Sequence, residues 1–268
     1  QAVERRLRAD GVATTGVDRD ELDITDPGCA DHPVLQGAGI LYNCAAYTDV
    51  DGAETDEATA HAINATGVAH LAAAAARRDA LLVHVSTDYV FGGGATAPIP
   101  PDAPTAPRSA YGRTKRAGEE ALIASGCRGL CVRTAWLFGH GGRNFVETML
   151  RLGRERDRLQ VVDDQRGSPT FADDLAATMV ALADAGRTGL YHCTNSGETT
   201  WFGFAQAIFA LAEMTVTVEP VTSDAFPRPA ARPAYSVLDC TATEAALGRP
   251  LRPWREALAA YLATRTDN

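Results

Sequence analysis

The chain has 268 residues and a formal net charge of −9, with 25 Lys and Arg against 34 Asp and Glu. That length suits one large α/β domain, or one with a small added lobe. The arginines are scattered without a basic stripe, which disfavours a nucleic-acid partner, and no apolar run approaches the roughly 18 residues of a membrane span. The six cysteines, Cys29, Cys44, Cys127, Cys131, Cys193 and Cys240, form no C-x-x-C pair, and the six histidines show no metal-ligand spacing. Buried, reduced thiols in a cytoplasmic protein without a metal site are the expectation.

The chain opens in a helix-like pattern that sets Val3 and Leu7 on one face. Residues 12–17 read as a short strand ending in Asp18-Arg19, and residues 22–26 as a loop. I-L-Y-N-C-A-A at 40–46 is a strand and residues 54–78 a helix. The apolar run at 81–85 reads as a buried parallel strand, leading into S-T-D-Y-V-F at 86–91 and three glycines at 92–94. The Pro-rich stretch 97–107 cannot be helical. Ser109 then caps a helix over 111–124, and 130–134 is the next strand. Such alternation predicts an α/β fold with a doubly wound, Rossmann-like parallel sheet. Beyond Phe138 the spacing predicts helices at 144–154, 171–184, 202–213 and 254–263. Strands are expected at 159–162, 190–194 and 216–218, and a Pro-rich crossing loop at 226–233. Residues 1–138 are thus expected to be a dinucleotide-binding region and 139–268 mainly a smaller substrate-binding lobe, with some elements returning to the sheet.

Ligands of open α/β sheets sit beyond the carboxyl ends of the strands, which is where Thr87 and Asp88 fall. Tyr111 and Lys115 are four apart and project from one helix face. Lys115 is the only lysine, the other 24 basic residues being Arg. A lone lysine in so arginine-rich a chain suggests a task for a compact ammonium rather than a planar fork. Set beside Tyr111, it would lower the phenol's pKa and make it a better proton donor near neutral pH. The plainer alternative is a surface Tyr and Lys on an ordinary helix. A dinucleotide-binding fold should also open with a strand and a Gly-rich turn. Neither glycine cluster supplies one, since 92–94 leads into prolines and 139–142 has the wrong spacing.

In order, N-C-A-A-Y-T-D-V-D at 43–51, S-T-D-Y-V-F at 86–91, Y-G-R-T-K at 111–115, R-T-A-W at 133–136, N-F at 144–145, D-Q-R-G-S-P-T at 164–170 and R-P-x-x-S at 232–236 run through nearly the whole chain. Together they resemble the dTDP-4-dehydrorhamnose reductase family of extended short-chain dehydrogenases/reductases. Y-x-x-x-K alone marks only the superfamily; D-Q-R-G-S-P-T and S-T-D-Y-V-F are narrower signals. The resemblance implies NAD(P)H-dependent reduction of the C4 keto group of a dTDP-4-keto-6-deoxy sugar. Tyr111 would protonate the C4 oxygen, Lys115 would hold the nicotinamide ribose, and Thr87 would hydrogen-bond the same oxygen. Asp88, Trp136, Asn144 and Arg232 would contact the nucleotide sugar, and Asp23, Ile24, Ala46, Tyr47 and Thr48 would line the cofactor with Tyr111 and Lys115. Taken singly, Trp136 could be core, Asp88 a loop cap, Asn144 a helix cap and Arg232 a surface cation. Asp18 suits the 2′-hydroxyl of NADH and Arg19 the 2′-phosphate of NADPH, and the expectation leans to NADPH.

Against the family, the strand and Gly-rich turn are missing at the front. About 15 further N-terminal residues carrying them are therefore expected in the natural protein. A homodimer is compatible with the family. Two other readings are an epimerase or dehydratase of the same superfamily, which would keep its NAD bound, and a non-catalytic subunit like the β subunit of methionine adenosyltransferase.

Overall fold

The computed structural model describes residues 1–265. Helix α1 (Ala2–Ala9) buries Val3 and Leu7, as their spacing requires. Strand β1 (Ile40–Asn43) follows a stretch of turns. The helix expected over 54–78 is broken. It consists of a 3₁₀ turn at Gly52–Glu54, α2 (Glu57–His61), one turn of π-helix at Ala62–Thr66, and α3 (Gly67–Arg77). The wide turn has a local cause. Its Asn64 is fully buried, bonded through its side chain to the backbone of Tyr47 and to Thr114. A Cβ on Gly118 would overlap the Asn64 carbonyl oxygen, so glycine is what lets the next helix of the sheet close on this turn.

Then come β2 (Leu81–Thr87), α4 (Ala110–Ala124), β3 (Arg128–Thr134) and β4 (Leu137–Phe138). Next are α5 (Phe145–Glu155), β5 (Arg158–Val162), β6 (Arg166–Gly167), β7 (Thr170–Phe171) and α6 (Ala172–Asp184). The chain closes with β8 (Gly189–His192), β9 (Thr199–Thr200), α7 (Trp201–Leu211), β10 (Thr217–Val221), α8 (Thr241–Leu247) and α9 (Trp254–Thr264). The main sheet is parallel throughout, in the order β1-β2-β3-β8. Alternation along β2 serves both faces. Leu81 and Val83 join α1 and α6 on one side, and Leu82 joins α3 on the other. His84 continues the Leu82 face, in register between Asn43 and Cys131.

The strand expected at 12–17 does not form. β1 pairs only with β2, so its outer edge carries no ladder among the described residues, and Val12 and Val17 are exposed. A β-branched run becomes a strand only by pairing with an edge, and residues 12–17 pair with none of the described strands. After β4 the chain builds a second layer in which β5 and β10 pair in parallel and α5, α7 and α9 pack around aromatic side chains. Helix α6 and β8 return to the main sheet. A strap at 234–239 bonds to Arg166 on one side and Ile99 on the other, crossing between the two layers.

Candidate active site

Strand β2 ends at Thr87, and a 3₁₀ turn over Asp88–Val90 follows at once. Thr87 Oγ1 donates to Asp88 Oδ1 at 2.9 Å and accepts the Tyr89 N–H at 3.2 Å, so both side chains are held in place. Helix α4 begins against this turn. The Ser109 hydroxyl accepts the Gly112 N–H at 3.1 Å, as its sequence position predicts, and a Cβ on Gly112 would overlap the Tyr89 carbonyl oxygen. That contact sets the Tyr111 ring edge-on to Tyr89, with centroids 5.5 Å apart.

Burial pushes the Tyr111 phenol up to about 12; the Thr87 hydroxyl draws it down and the Asp88 carboxylate raises it. Asp88 is only 2% exposed, and burial raises its carboxyl to about 6. Ser236, brought in by the strap, stands near enough to pull that carboxyl back down, yet neither Asp88 Oδ2 nor the Ser236 hydroxyl completes a hydrogen bond. Buried polar atoms without partners are rare enough to mark a place where another group belongs.

Lys115 lies one turn along α4 and is as buried as Asp88. Its Nζ donates to the Val85 carbonyl at 2.7 Å and lies 3.5 Å from His84 Nε2. Burial brings the amine down to about 8. The expected lowering of the phenol's pKa by this ammonium is not found. Lys115 is not among the groups acting on Tyr111, whose shift is upward, because the amine is turned to the β2 backbone.

Of the remaining expected residues, Tyr47 is the best integrated. Asn64 clamps its backbone by bonds of 2.9 and 3.2 Å, and its ring shares the Ala53–Ala60–Ala110 cluster with Tyr111. Ala46 is partly buried and Thr48 exposed. Asp23 accepts both the N–H and the hydroxyl of Thr25, which hold its carboxyl below the usual range. Ile24 is buried against Gly67 and offers its carbonyl to His70. Asp18 and Arg19 are both exposed, and Arg19 lies 3.7 Å from Asp23.

Trp136 takes a left-handed backbone conformation, φ 47°, uncommon for a bulky residue. Its indole stacks on Trp201 with centroids 3.6 Å apart and planes 7° from parallel. Asn144 caps α5, accepting the Glu147 N–H and donating to the Gly139 and Gly142 carbonyls, so its amide is committed to local structure. Arg232 donates to Asp51 at 2.9 Å and lies over the Tyr89 ring, 5.8 Å from its centroid. The structure therefore gathers Thr87, Asp88, Tyr111 and Tyr47, sets Lys115 one turn deeper, and leaves Asn144 and Asp23 outside that cluster.

Sequence reasoning missed Asn64, His84 and a buried ion pair. Glu119 accepts from Arg133 at 2.8 and 2.7 Å and from Ser86 at 2.6 Å. Arg133 also donates to the Pro101 carbonyl, which ties the Pro-rich loop to the sheet. The signal for His84 was its place inside an apolar strand run. Asn64 and Glu119 left no comparable mark. Among the described residues no group of His, Cys, Asp and Glu side chains could hold a metal ion, and no helix is long and apolar enough to cross a membrane. All six cysteines are free thiols.

The model of the RmlD substrate binding domain matches residues 1–266. The chain belongs to the RmlD family. Among its relatives, the dTDP-4-dehydrorhamnose reductase of Mycobacterium tuberculosis is 49% identical over 255 residues, 92% of this chain and 84% of that one. The reductase of the same name from Streptomyces griseus is 46% identical over 256 residues, with the same coverage. The crystal structure of the Clostridium acetobutylicum dTDP-4-dehydrorhamnose reductase superposes with a TM-score of 0.94 at 40% identity, covering 98% of this chain and 94% of that one. The Bacillus anthracis dTDP-4-dehydrorhamnose reductase, solved in complex with NADP, has the same TM-score and coverage at 37% identity. The RmlD fold and the doubly wound sheet expected from the sequence are thus established.

Proposed function

We propose that this chain reduces the C4 keto group of a dTDP-4-keto-6-deoxy sugar with NADPH as hydride donor. The observation that carries the reading is the Tyr111 phenol beside Thr87 and Asp88 at the carboxyl end of β2, in a chain whose relatives bear the names of such reductases. One of them, from Streptomyces antibioticus, is named as a probable 4-ketoreductase of another dTDP-linked sugar, so what these relatives' names share is the class of substrate, a dTDP-linked keto sugar.

The residues present fit a nicotinamide cofactor at its reacting end. The loop after β1 exposes Ala45 and Thr48 next to the clamped Tyr47. At the same edge of the sheet, Asp88 Oδ2 and Thr134 Oγ1 are buried without partners. Ala46, Tyr47, Thr48, Tyr111 and Lys115 would hold it, with Asp23 and Ile24 farther along. A bound reduced nicotinamide supplies the hydride.

The chain's own residues manage the proton. Burial keeps Tyr111 in its phenol form at neutral pH, so a proton is available where an alkoxide develops. Thr87 has one hydroxyl proton, which the Asp88 carboxylate accepts here; giving it to the Tyr111 oxygen or to the C4 oxygen of the substrate means releasing Asp88. The other role of Thr87 is to accept the Tyr89 N–H, which fixes the turn that the substrate oxygen must approach. We assign Trp136 and Asp88 to the sugar and Arg232 to the diphosphate, which it could reach on leaving Asp51. Residues 1–138 would carry the cofactor and 139–268 mainly the substrate. Six free thiols fit a reducing, cytoplasmic setting. The test is loss of NADPH absorbance against a panel of dTDP-4-keto-6-deoxyhexoses, with the product's new C4 hydroxyl identified by NMR. Failure to oxidise NADPH with any of them would end the reading.

A further inference from the structure

Lys115 is the only lysine of the chain, and its surroundings are odd for a cation. An ammonium is a donor only and seeks acceptors. Nζ has one, the Val85 carbonyl at 2.7 Å. Opposite stands His84 Nε2 at 3.5 Å. What Nε2 offers is decided on the neighbouring strand. The Ala45 N–H donates to Asn43 Oδ1 at 3.1 Å, which turns the amide nitrogen of Asn43 towards His84 Nδ1, 3.2 Å away. An amide nitrogen can only donate, so Nδ1 accepts, and a neutral imidazole then carries its proton on Nε2. His84 is fully buried, and burial above all keeps the ring neutral by holding its pKa well below the ordinary 6.5. A proton on Nε2 therefore points at Nζ. An ammonium would meet it proton to proton, whereas an amine accepts it and still donates to Val85.

We infer that Asn43 and His84 are positioning residues for Lys115, a hydrogen-bond chain of fixed polarity that weakens the ammonium against the amine and so sets how readily this lysine holds its proton. The sheet imposes the arrangement, because His84 lies in register with Asn43 on one side and Cys131 on the other. The remaining groups around Nζ act in the opposite sense. Cys131 from β3, Glu119 from the next turn of α4 and Cys44 from the end of β1 all favour the charged form. Glu119 is paired with Arg133 and Arg116, and burial keeps the Cys131 thiol protonated. Burial and the Asn43–His84 chain stand against these three. The catalytic weight of the inference rests on the reductase reading, in which the ammonium holds the ribose; the hydrogen-bond polarity does not.

One lysine makes the test direct. In the full chain labelled with ¹³C,¹⁵N-lysine, the side chain of Lys115 gives a single set of resonances whose titration is followed by NMR. Asn43→Asp replaces the amide donor by an acceptor, draws the imidazole proton to Nδ1 and leaves a lone pair facing Nζ. His84→Gln offers Nζ an amide oxygen. Each is expected to raise the Lys115 midpoint by about one pH unit, as an added acceptor favours the charged form. Unchanged midpoints in both folded variants would overturn the inference. The wild-type protein gives a readout free of any folding defect: the ¹⁵N shifts of His84 should report the Nε2–H tautomer, and an Nδ1–H tautomer would overturn the inference on its own. If the midpoints move but no dTDP-4-keto sugar is reduced, the reductase reading falls and this inference stands. If both hold, the alkaline limb of kcat/KM moves upward with the midpoint.

Discussion

The polar cluster at the carboxyl edge of the main sheet and the core of the second layer are both closed to water, yet they are built of different matter. The first holds Asn43, Asn64, His84, Lys115, Glu119 and Arg133, none more than 4% exposed. In the second, Phe138, Phe204, Ile208 and Leu258 are buried with Trp254 and Tyr261. Burial of apolar area is non-directional, so the aromatic core supplies cohesion and settles for any arrangement that fills space. Hydrogen bonds fix each atom against another, so the polar edge supplies placement and loses stability whenever one partner goes missing. Strength and aim are thus separated in one chain.

Removing matter from the aromatic core should be the heaviest blow to stability. Phe204 is fully buried and touches Phe138, Phe145, Trp201 and Trp254. Phe204→Ala is expected to cost about 3–5 kcal/mol in urea unfolding, with kcat near normal at temperatures where the protein stays folded. A similar loss, for the opposite reason, is expected of Arg133→Met, which takes from the Glu119 carboxylate its nearest cation and leaves it only Ser86 and the more distant Arg116. Breaking one side of a buried pair costs about 3–5 kcal/mol, and the double variant with Glu119→Leu should recover most of it. No recovery would mean that the pair is held by something other than charge.

Tyr111→Phe tests aim without strength. Turnover should fall at least about 10²-fold, the usual scale of general acid catalysis, while the unfolding midpoint barely moves. Asp88 should show a smaller effect with a definite sign. Its carboxyl is raised from an ordinary 3.8 to about 6, so its contribution to stability is full below 3.8 and is lost as pH rises through 6. Asp88→Asn should therefore stabilise the protein above pH 6, by on the order of 3 kcal/mol, and leave it unchanged near pH 3.5. A variant equally stable at both pH values relative to wild type would place the charge elsewhere. The mildest change is Asn144→Ala, a lost cap worth about 1 kcal/mol. If NADPH oxidation also collapses, Asn144 touches substrate after all.

These contrasts also mark what could be read from the sequence. The main strands were legible because apolar runs at 81–85 and 130–134 mean the same thing wherever they occur, and Ser109 announced its helix because a cap is a local event. The site was legible as far as its motifs are short-range: Thr87, Asp88 and Tyr111 do meet. Residues 12–17 misled because strand propensity is silent about whether a partner edge is in reach. The break at Ala62–Thr66 was hidden because its cause, Asn64 reaching Tyr47 and Thr114, spans 17 and 50 residues. Lys115 was placed on the right helix face, but its contacts with the Val85 carbonyl and with His84 lie in another element and left no mark in the spacing.

The stacked indoles of Trp136 and Trp201 give the protein an optical signature of its own state. Two of the chain's three tryptophans lie face to face at 3.6 Å, close enough for their electronic transitions to couple. The near-ultraviolet circular dichroism should carry a strong paired band, and the emission of both rings should be quenched. One indole belongs to the chain leaving the main sheet and the other starts α7 of the second layer, so any change in the spacing of the layers changes the light. A nucleotide sugar seated against Trp136 would announce itself as a change in colour and brightness, with no label added.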